Sequence, residues 1–405
     1  MITIKTIPTE KFTTNTICVL VRQPLQRVGV TSTALLPPLL ARGSTKYPTI
    51  QDIRLAAEAM QGSIFDAQII KKGEHQIMQF FLEYVNADSS LKKRGISFLH
   101  EIINNPRVQD LGFYSPYVQG EKENLKNRID GRINNRSEYA KLKCFEAMCK
   151  DEPFGIYGDG YAEDLSDITS ETLFSHYTNQ LKSCPIDIIA LGQWDEAWLK
   201  NEISHKFGKV LDEKGKKIKQ PSLYKARRKR EIIKINHGAA QGNLCIGLRG
   251  EIPTLGMDFV HFQLANEILG GGPNARLFTN IREKESLCYS IYSTIFRFKS
   301  LMCIIAGCEP DKMEFVLELA EKEIDVIKKG GFSEAEFYSA KQSMFKRFRT
   351  MQDKPSACVD FYASQYLLND GSTVDDLIRQ IEKATPEGVA QVMSNLDIDT
   401  VVMLS

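Results

Sequence analysis

The sequence predicts an α+β protein made of two homologous α/β-sandwich repeats, each a mixed or antiparallel sheet with helices packed on it. Three observations carry that expectation. Short β-rich runs recur in both halves of the 405 residues. Segments with helical spacing of apolar residues lie between them. Two local likenesses also recur in the same order, offset by about two hundred residues, as a duplication would leave them.

The elements follow in chain order. Residues 16–21 and 76–86 read as strands in the first half, and residues 243–248 and 301–308 repeat the type in the second. Residues 121–149 hold no proline and predict one long helix or two joined ones. Over 312–329, Val316, Leu319, Ala320, Ile324 and Ile327 fall near helical spacing. Ser333-Glu-Ala-Glu336 is a capping box, in which the Ser hydroxyl accepts from the third helical N–H and the Glu reaches back. The helix it starts should end before Pro355. The duplication rests on Leu55–Gly62 against Leu264–Gly271, and on Thr169 against Thr385, each a helix-starting Thr followed by an apolar strand.

The sharpest composition change lies at 208–230. Between Lys214 and Arg230 stand nine Lys/Arg and no acid. Gly, Pro and Ser punctuate the stretch, so it reads as a solvated linker with a basic end rather than a nucleic-acid patch. The expected organisation is therefore a repeat at 1–207, a basic linker at 208–224 and a second repeat at 225–405. A formal net charge of +1 argues against nucleic acid as a partner. No run approaches the roughly 18 apolar residues of a membrane span, and no secretory leader is legible at the start. Most of the nine cysteines sit in apolar surroundings, as in Ile17-Cys18-Val19. That predicts reduced, buried thiols and a cytoplasmic location.

Chemistry-bearing patterns are sparse. No two of the six histidines lie within five residues of each other, so a helix-borne His pair for zinc is absent. His100-Glu101 alone reads as a surface helix pair. Cys144/Cys149 and Cys303/Cys308 lack zinc-knuckle spacing and read as buried thiols. Gly270-Gly271-Gly272 follows a helix-like segment and lacks the Gly-Lys-Ser/Thr ending of a phosphate loop. It predicts a tight helix-to-helix connection in which backbone approaches something else. A Gly-x-Ser-x-Gly elbow is missing, which leaves a serine hydrolase unsupported.

The segment that follows is the most informative: Gly270-Gly-Gly-Pro-Asn-Ala-Arg276-Leu-Phe-Thr-Asn-Ile-Arg282-Glu-Lys-Glu-Ser-Leu-Cys-Tyr289. It resembles the second repeat of the pitrilysin/insulinase-type zinc peptidases, in the branch that includes the mitochondrial processing peptidase. In that family an Arg and a Tyr seven residues later contact substrate near the scissile bond, and they match Arg282 and Tyr289. The resemblance spans essentially the whole chain and implies a clam-like half built of two repeats. Active members carry His-x-x-Glu-His in the first repeat. The corresponding stretch here is Ala34-Leu-Leu-Pro37-Pro38, with Ala34 and Pro38 in place of the histidines and Pro37 in place of the general-base glutamate. None of these side chains can bind zinc or activate water. The paired prolines predict that the helix starts there.

The resemblance therefore implies a non-zinc subunit. Zinc would belong to a paralogous partner in a heterodimer, or the chain would form a homodimer. Arg282 and Tyr289 would donate hydrogen bonds to a peptide or unfolded polypeptide, with Gly270, Gly271 and Gly272 alongside it, and no cofactor in this chain. The alternative is an inert structural or interaction protein of the same fold.

Overall fold

In a computed structural model of the chain, residues 2–210, 223, 229–238, 241–272 and 274–405 are described. Most of the basic linker at 208–224 lies outside these residues. The first half runs β1 (Ile2–Pro8), β2 (Thr14–Pro24), α1 (Val30–Leu40), α2 (Ile50–Glu58), β3 (Ile64–Lys72), β4 (His75–Val85) and α3 (Ser89–Asn104). It continues through a small hairpin, β5 (Val108–Gln109) and β6 (Gly112–Phe113), then α4 (Ser115–Asp130), α5 (Arg136–Met148), α6 (Ser170–Ser183), β7 (Ile186–Gly192) and α7 (Glu196–Phe207). The second half opens with β8 (Glu231–Ile235), β9 (Gly242–Arg249) and α8 (Gly256–Asn266). Two π-helical segments, Glu267–Gly271 and Leu277–Lys284, lead to β10 (Cys288–Phe296) and β11 (Leu301–Cys308). Then come α9 (Met313–Lys328), α10 (Glu334–Met351), α11 (Pro355–Leu367), α12 (Val374–Lys383), α13 (Pro386–Ser394) and β12 (Asp397–Leu404).

The two sheets have one topology. The first has the order β1-β7-β2-β4-β3 and the second, read from its other edge, β8-β12-β9-β11-β10. In each, the first and last strands of the repeat pair in parallel, and every other neighbour is antiparallel. Such agreement in order and direction is what a duplicated unit leaves behind. The likeness of Thr169 to Thr385 holds in three dimensions: each caps the helix that feeds the last strand of its sheet, α6 into β7 and α13 into β12. The other likeness is out of register by one helix. Leu55–Gly62 runs through the second helix after β2, whereas Leu264–Gly271 ends the first helical segment after β9.

Strands β7, β9 and β11 are buried along their full length. A strand covered on both faces carries a continuous apolar run instead of an alternating one. At the edge of the first sheet a buried carboxylate ties three strands: Asp187 on β7 accepts from Thr3 Oγ1 at 2.6 Å and from Arg22 Nε at 2.7 Å.

Two compact units result, and they exchange chain. One comprises Met1–Asp130, Ile156–Ile218 and Lys354–Ser364; the other Gly131–Gly155, Lys219–Asp353 and Gln365–Ser405. In the second unit, Ala140, Cys144, Phe145 and Met148 of α5 pack into a core with Cys245, Cys303, Ile305 and Val402 of the second sheet. Gly247 on β9 makes this fit possible, because a Cβ there would stand 2.8 Å from Cys144 Sγ. In the first unit, Lys72 on β3 donates to Asp360 at 2.6 Å and to Ser364 at 2.8 Å, both on α11. Residues 121–149 form two joined helices, α4 and α5, linked by a short 3₁₀ turn at Gly131–Asn134.

Candidate functional site

The degenerate motif lies on α1. The expectation that this helix starts at the prolines is wrong: it begins at Val30 and carries Pro37 and Pro38 within its last turns. Proline cannot donate to the carbonyls of Thr33 and Ala34, which normally weakens a helix. Here burial outweighs that loss. Leu35, Leu36, Leu39 and Leu40 of the same helix sit in the main core with Val19, Val21 and Phe80. The N-terminal end is tied by side chains. Gln76 Nε2 donates to the Val30 carbonyl at 2.8 Å, and Thr31 Oγ1 donates to Asp164 at 2.5 Å. Thr33 Oγ1 lies 2.8 Å from His176 Nε2. Ala34 and Pro37 are buried and Pro38 is half-buried. Zinc does not fit this position, since a methyl group and two pyrrolidine rings offer no lone pair. Among the described residues, no cluster of His, Cys, Asp and Glu could hold a metal ion.

The second-repeat segment is built differently. Gly270 lies where backbone meets backbone: a Cβ there would stand 2.5 Å from the Ser293 N of β10. At Gly271 it would stand 2.3 Å from Asn266 Nδ2. Gly272 closes the first π-helical segment by donating its N–H to the Glu267 carbonyl at 3.1 Å. The glycines thus let helix and strand approach. Glu267, on the same segment, is buried and accepts from Ser343 at 2.8 Å and Arg347 at 2.5 Å, both on α10. Arg276 is used up structurally, bridging Glu323 and Glu336 at 2.7 Å each.

Arg282 and Tyr289 are not used up. Arg282 is exposed in the last turn of the second π-helical segment. Its guanidinium lies 4.8 Å from the centre of the Phe278 ring and, among the described residues, makes no ion pair with Glu283 or Glu285. Tyr289 is 60% exposed, so it is no core aromatic. A β-bulge puts it there. Cys288 pairs with Cys308 and Ser290 with Gly307, leaving Tyr289 as the extra residue. A bulge breaks strand alternation and re-aims a side chain. Tyr289 and Ser290 are therefore both exposed between buried Cys288 and Ile291. The segment carrying Arg282 packs against β10, so the two residues belong to consecutive, touching elements.

Chemically, the pair offers a forked set of fixed cationic donors and one phenolic hydroxyl, both open to solvent. Sequence reasoning picked out Arg282 and Tyr289 through the family resemblance but did not find the bulge. Its only trace in the sequence is the break in alternation across Cys288-Tyr-Ser-Ile291.

Residues 167–344 match the family model described as the peptidase M16 inactive domain. Over this segment the chain is similar to the peptidase M16 family. It is 28% identical over 403 residues to a Bacillus subtilis protein named probable inactive metalloprotease YmfF, a match that spans 98% of this chain and 94% of that one. A Mycobacterium tuberculosis protein named as an uncharacterized zinc protease, Rv2782c, is 25% identical over 287 residues, covering 69% of this chain and 64% of its own length. Among solved structures, a conserved protein from Enterococcus faecalis V583 superposes with a TM-score of 0.90 at 25% identity, over 99% of this chain and 96% of that one. A peptidase M16 inactive domain from Pseudomonas fluorescens shares the fold at a TM-score of 0.82 and 19% identity, over 99% and 94% of the two chains. The lack of zinc ligands at Ala34, Pro37 and Pro38 agrees with the name of the Bacillus subtilis relative, which is similar along nearly the whole chain.

Proposed function

We propose that this M16-like chain is the non-zinc subunit of a cytoplasmic peptidase, with repeats at 1–207 and 225–405, and that it works beside a zinc-bearing paralogue. The partner brings the zinc and the general base. This chain's own residues bind and orient the peptide. Arg282 and Tyr289 donate hydrogen bonds to a carbonyl of a peptide or unfolded polypeptide, and the donors gain strength as that oxygen becomes more negative. Gly270, Gly271 and Gly272 hold the backbone that carries them. The observation that supports the reading best is the bulge at Tyr289. It exposes a bulky aromatic at the start of β10, the strand packed against the helical segment that carries Arg282, an arginine without an ionic partner among the described residues.

The test is co-purification with a zinc-bearing paralogue encoded in the same genome, followed by peptide cleavage by each chain alone and by the two together. Cleavage that needs both chains is the expected result. A stable complex whose rate is unchanged by Tyr289→Phe and by Arg282→Ala would make the chain an inert structural partner. A homodimer without any paralogue would also overturn the heterodimeric reading.

A further inference from the structure

Cys288 and Cys308 stand directly opposite each other across the β10–β11 pair. Opposite residues in an antiparallel ladder point to one face, with Cα atoms about 4.5–5.5 Å apart. A disulfide needs about 4.4–6.8 Å, so the backbone is already in range. Each thiol also perturbs the other: their interaction draws Cys308 below the ordinary thiol range and pushes Cys288 above it. Among the other thiols, Cys245 and Cys303 sit on neighbouring strands, but Cys245 opposes Ile305 and Cys303 opposes Gly247, so they are offset rather than facing. They also lie in the closed core under α5. The Cys288–Cys308 pair lies instead at the end of the edge strand β10, one residue from the bulge, with Cys288 8% exposed and Cys308 buried behind it on β11.

We propose that Cys288 and Cys308 form a reversible disulfide under peroxide, fastening the bulge that presents Tyr289. The thiolate of one member of the pair attacks one oxygen of hydrogen peroxide. The O–O bond breaks, that cysteine becomes a sulfenic acid, and the departing hydroxide takes up the proton the thiol gave away, leaving as water. The sulfur of the other cysteine then attacks the sulfenic sulfur. The S–O bond breaks, and hydroxide leaves with the second thiol's proton as a second water. The two thiols have lost two electrons and two protons, and the peroxide has become two waters. This holds or fails on thiol chemistry alone, whatever Tyr289 touches.

The experiment treats the full-length reduced chain with hydrogen peroxide, quenches with N-ethylmaleimide, and maps peptides without reductant. The expected product is a pair of peptides joined through Cys288 and Cys308, lighter by two hydrogens and separated again by a thiol reductant. Cys308→Ala should abolish the link. Chymotrypsin should cut after Tyr289 more slowly in the cross-linked chain and recover its rate on reduction. Two free thiols after other cysteines have oxidised, irreversible sulfinic acid at either position, or a link to a different cysteine would overturn the disulfide. Unchanged cleavage after Tyr289 in the cross-linked chain would overturn the fastening. Should Cys308→Ala not fold, the map of the unmodified sequence still decides.

Discussion

Arg282 holds five N–H donors and sets its guanidinium over one aromatic ring, while Tyr289 keeps its hydroxyl in solvent. Groups left in that state cost the fold little to remove. Tyr289→Phe and Arg282→Ala should therefore keep stability and assembly and, on the proposed function, lower the turnover of the assembled peptidase by roughly 10²–10³ per lost donor. Turnover measured against complex content checks this. A second residue-scale effect concerns histidine. His261 Nε2 accepts the N–H of Thr385, the cap of α13, at 3.3 Å, and burial holds its pKa below the ordinary 6.5. Burial likewise lowers His176, which sits against Thr33. A histidine with a depressed folded pKa is neutral in the native state and takes up a proton more readily when unfolded. Stability is thus full above about pH 6.5 and falls as acid carries the ring through its folded pKa. Melting temperature should drop between pH 7.5 and pH 5.5, and His261→Gln should flatten part of that slope.

At the scale of elements, the strands and caps were legible because each is written locally. Residues 301–308 read as a strand and are one, and the Ser333 box caps α10 through both of its hydrogen bonds. Helix α1 was misread because proline chemistry is local and the burial that overrides it is not. The bulge escaped for a related reason, since one extra residue in a ladder depends on the partner strand. Least legible was Glu152, just beyond α5, which looks like any surface acid in sequence. Its carboxylate meets Arg249 Nη1 at 2.6 Å and Lys299 Nζ at 2.8 Å, with all three side chains at most 7% exposed. Removing one member of a buried ionic group strands the others without a counter-charge. Glu152→Ala should therefore destabilise the chain by about 3–5 kcal/mol, read by urea unfolding. A loss below about 1 kcal/mol, the range of exposed pairs, would mean the group is hydrated in solution.

For the whole molecule, the matching strand orders point to a duplicated unit, yet the compact units are not the chain halves. Segment 131–155 comes from the first half and lies in the unit of the second sheet, where Phe145 and Phe154 surround Phe296 and Glu152 neutralises Arg249 and Lys299. Segment 354–364 comes from the second half and lies in the unit of the first sheet, where it supplies the partners of Lys72. A fragment ending at 207 would carry its own sheet but lack the α11 residues, and its α5 would have no sheet to cover. A fragment starting at 225 would leave Cys245, Leu301, Cys303 and Val402 open to water where α5 now closes the core, and would bury Arg249 and Lys299 without Glu152. An exposed apolar sheet face is an aggregation hazard, and an unpaired buried cation is costly. Expressed separately, both fragments should bind a hydrophobic dye and unfold without a cooperative transition; mixed during refolding, they should recover a single cooperative transition. Cooperative unfolding of either fragment alone would show that the exchanged helices decorate sheets that are already stable, and that duplication, rather than exchange, sets the folding unit.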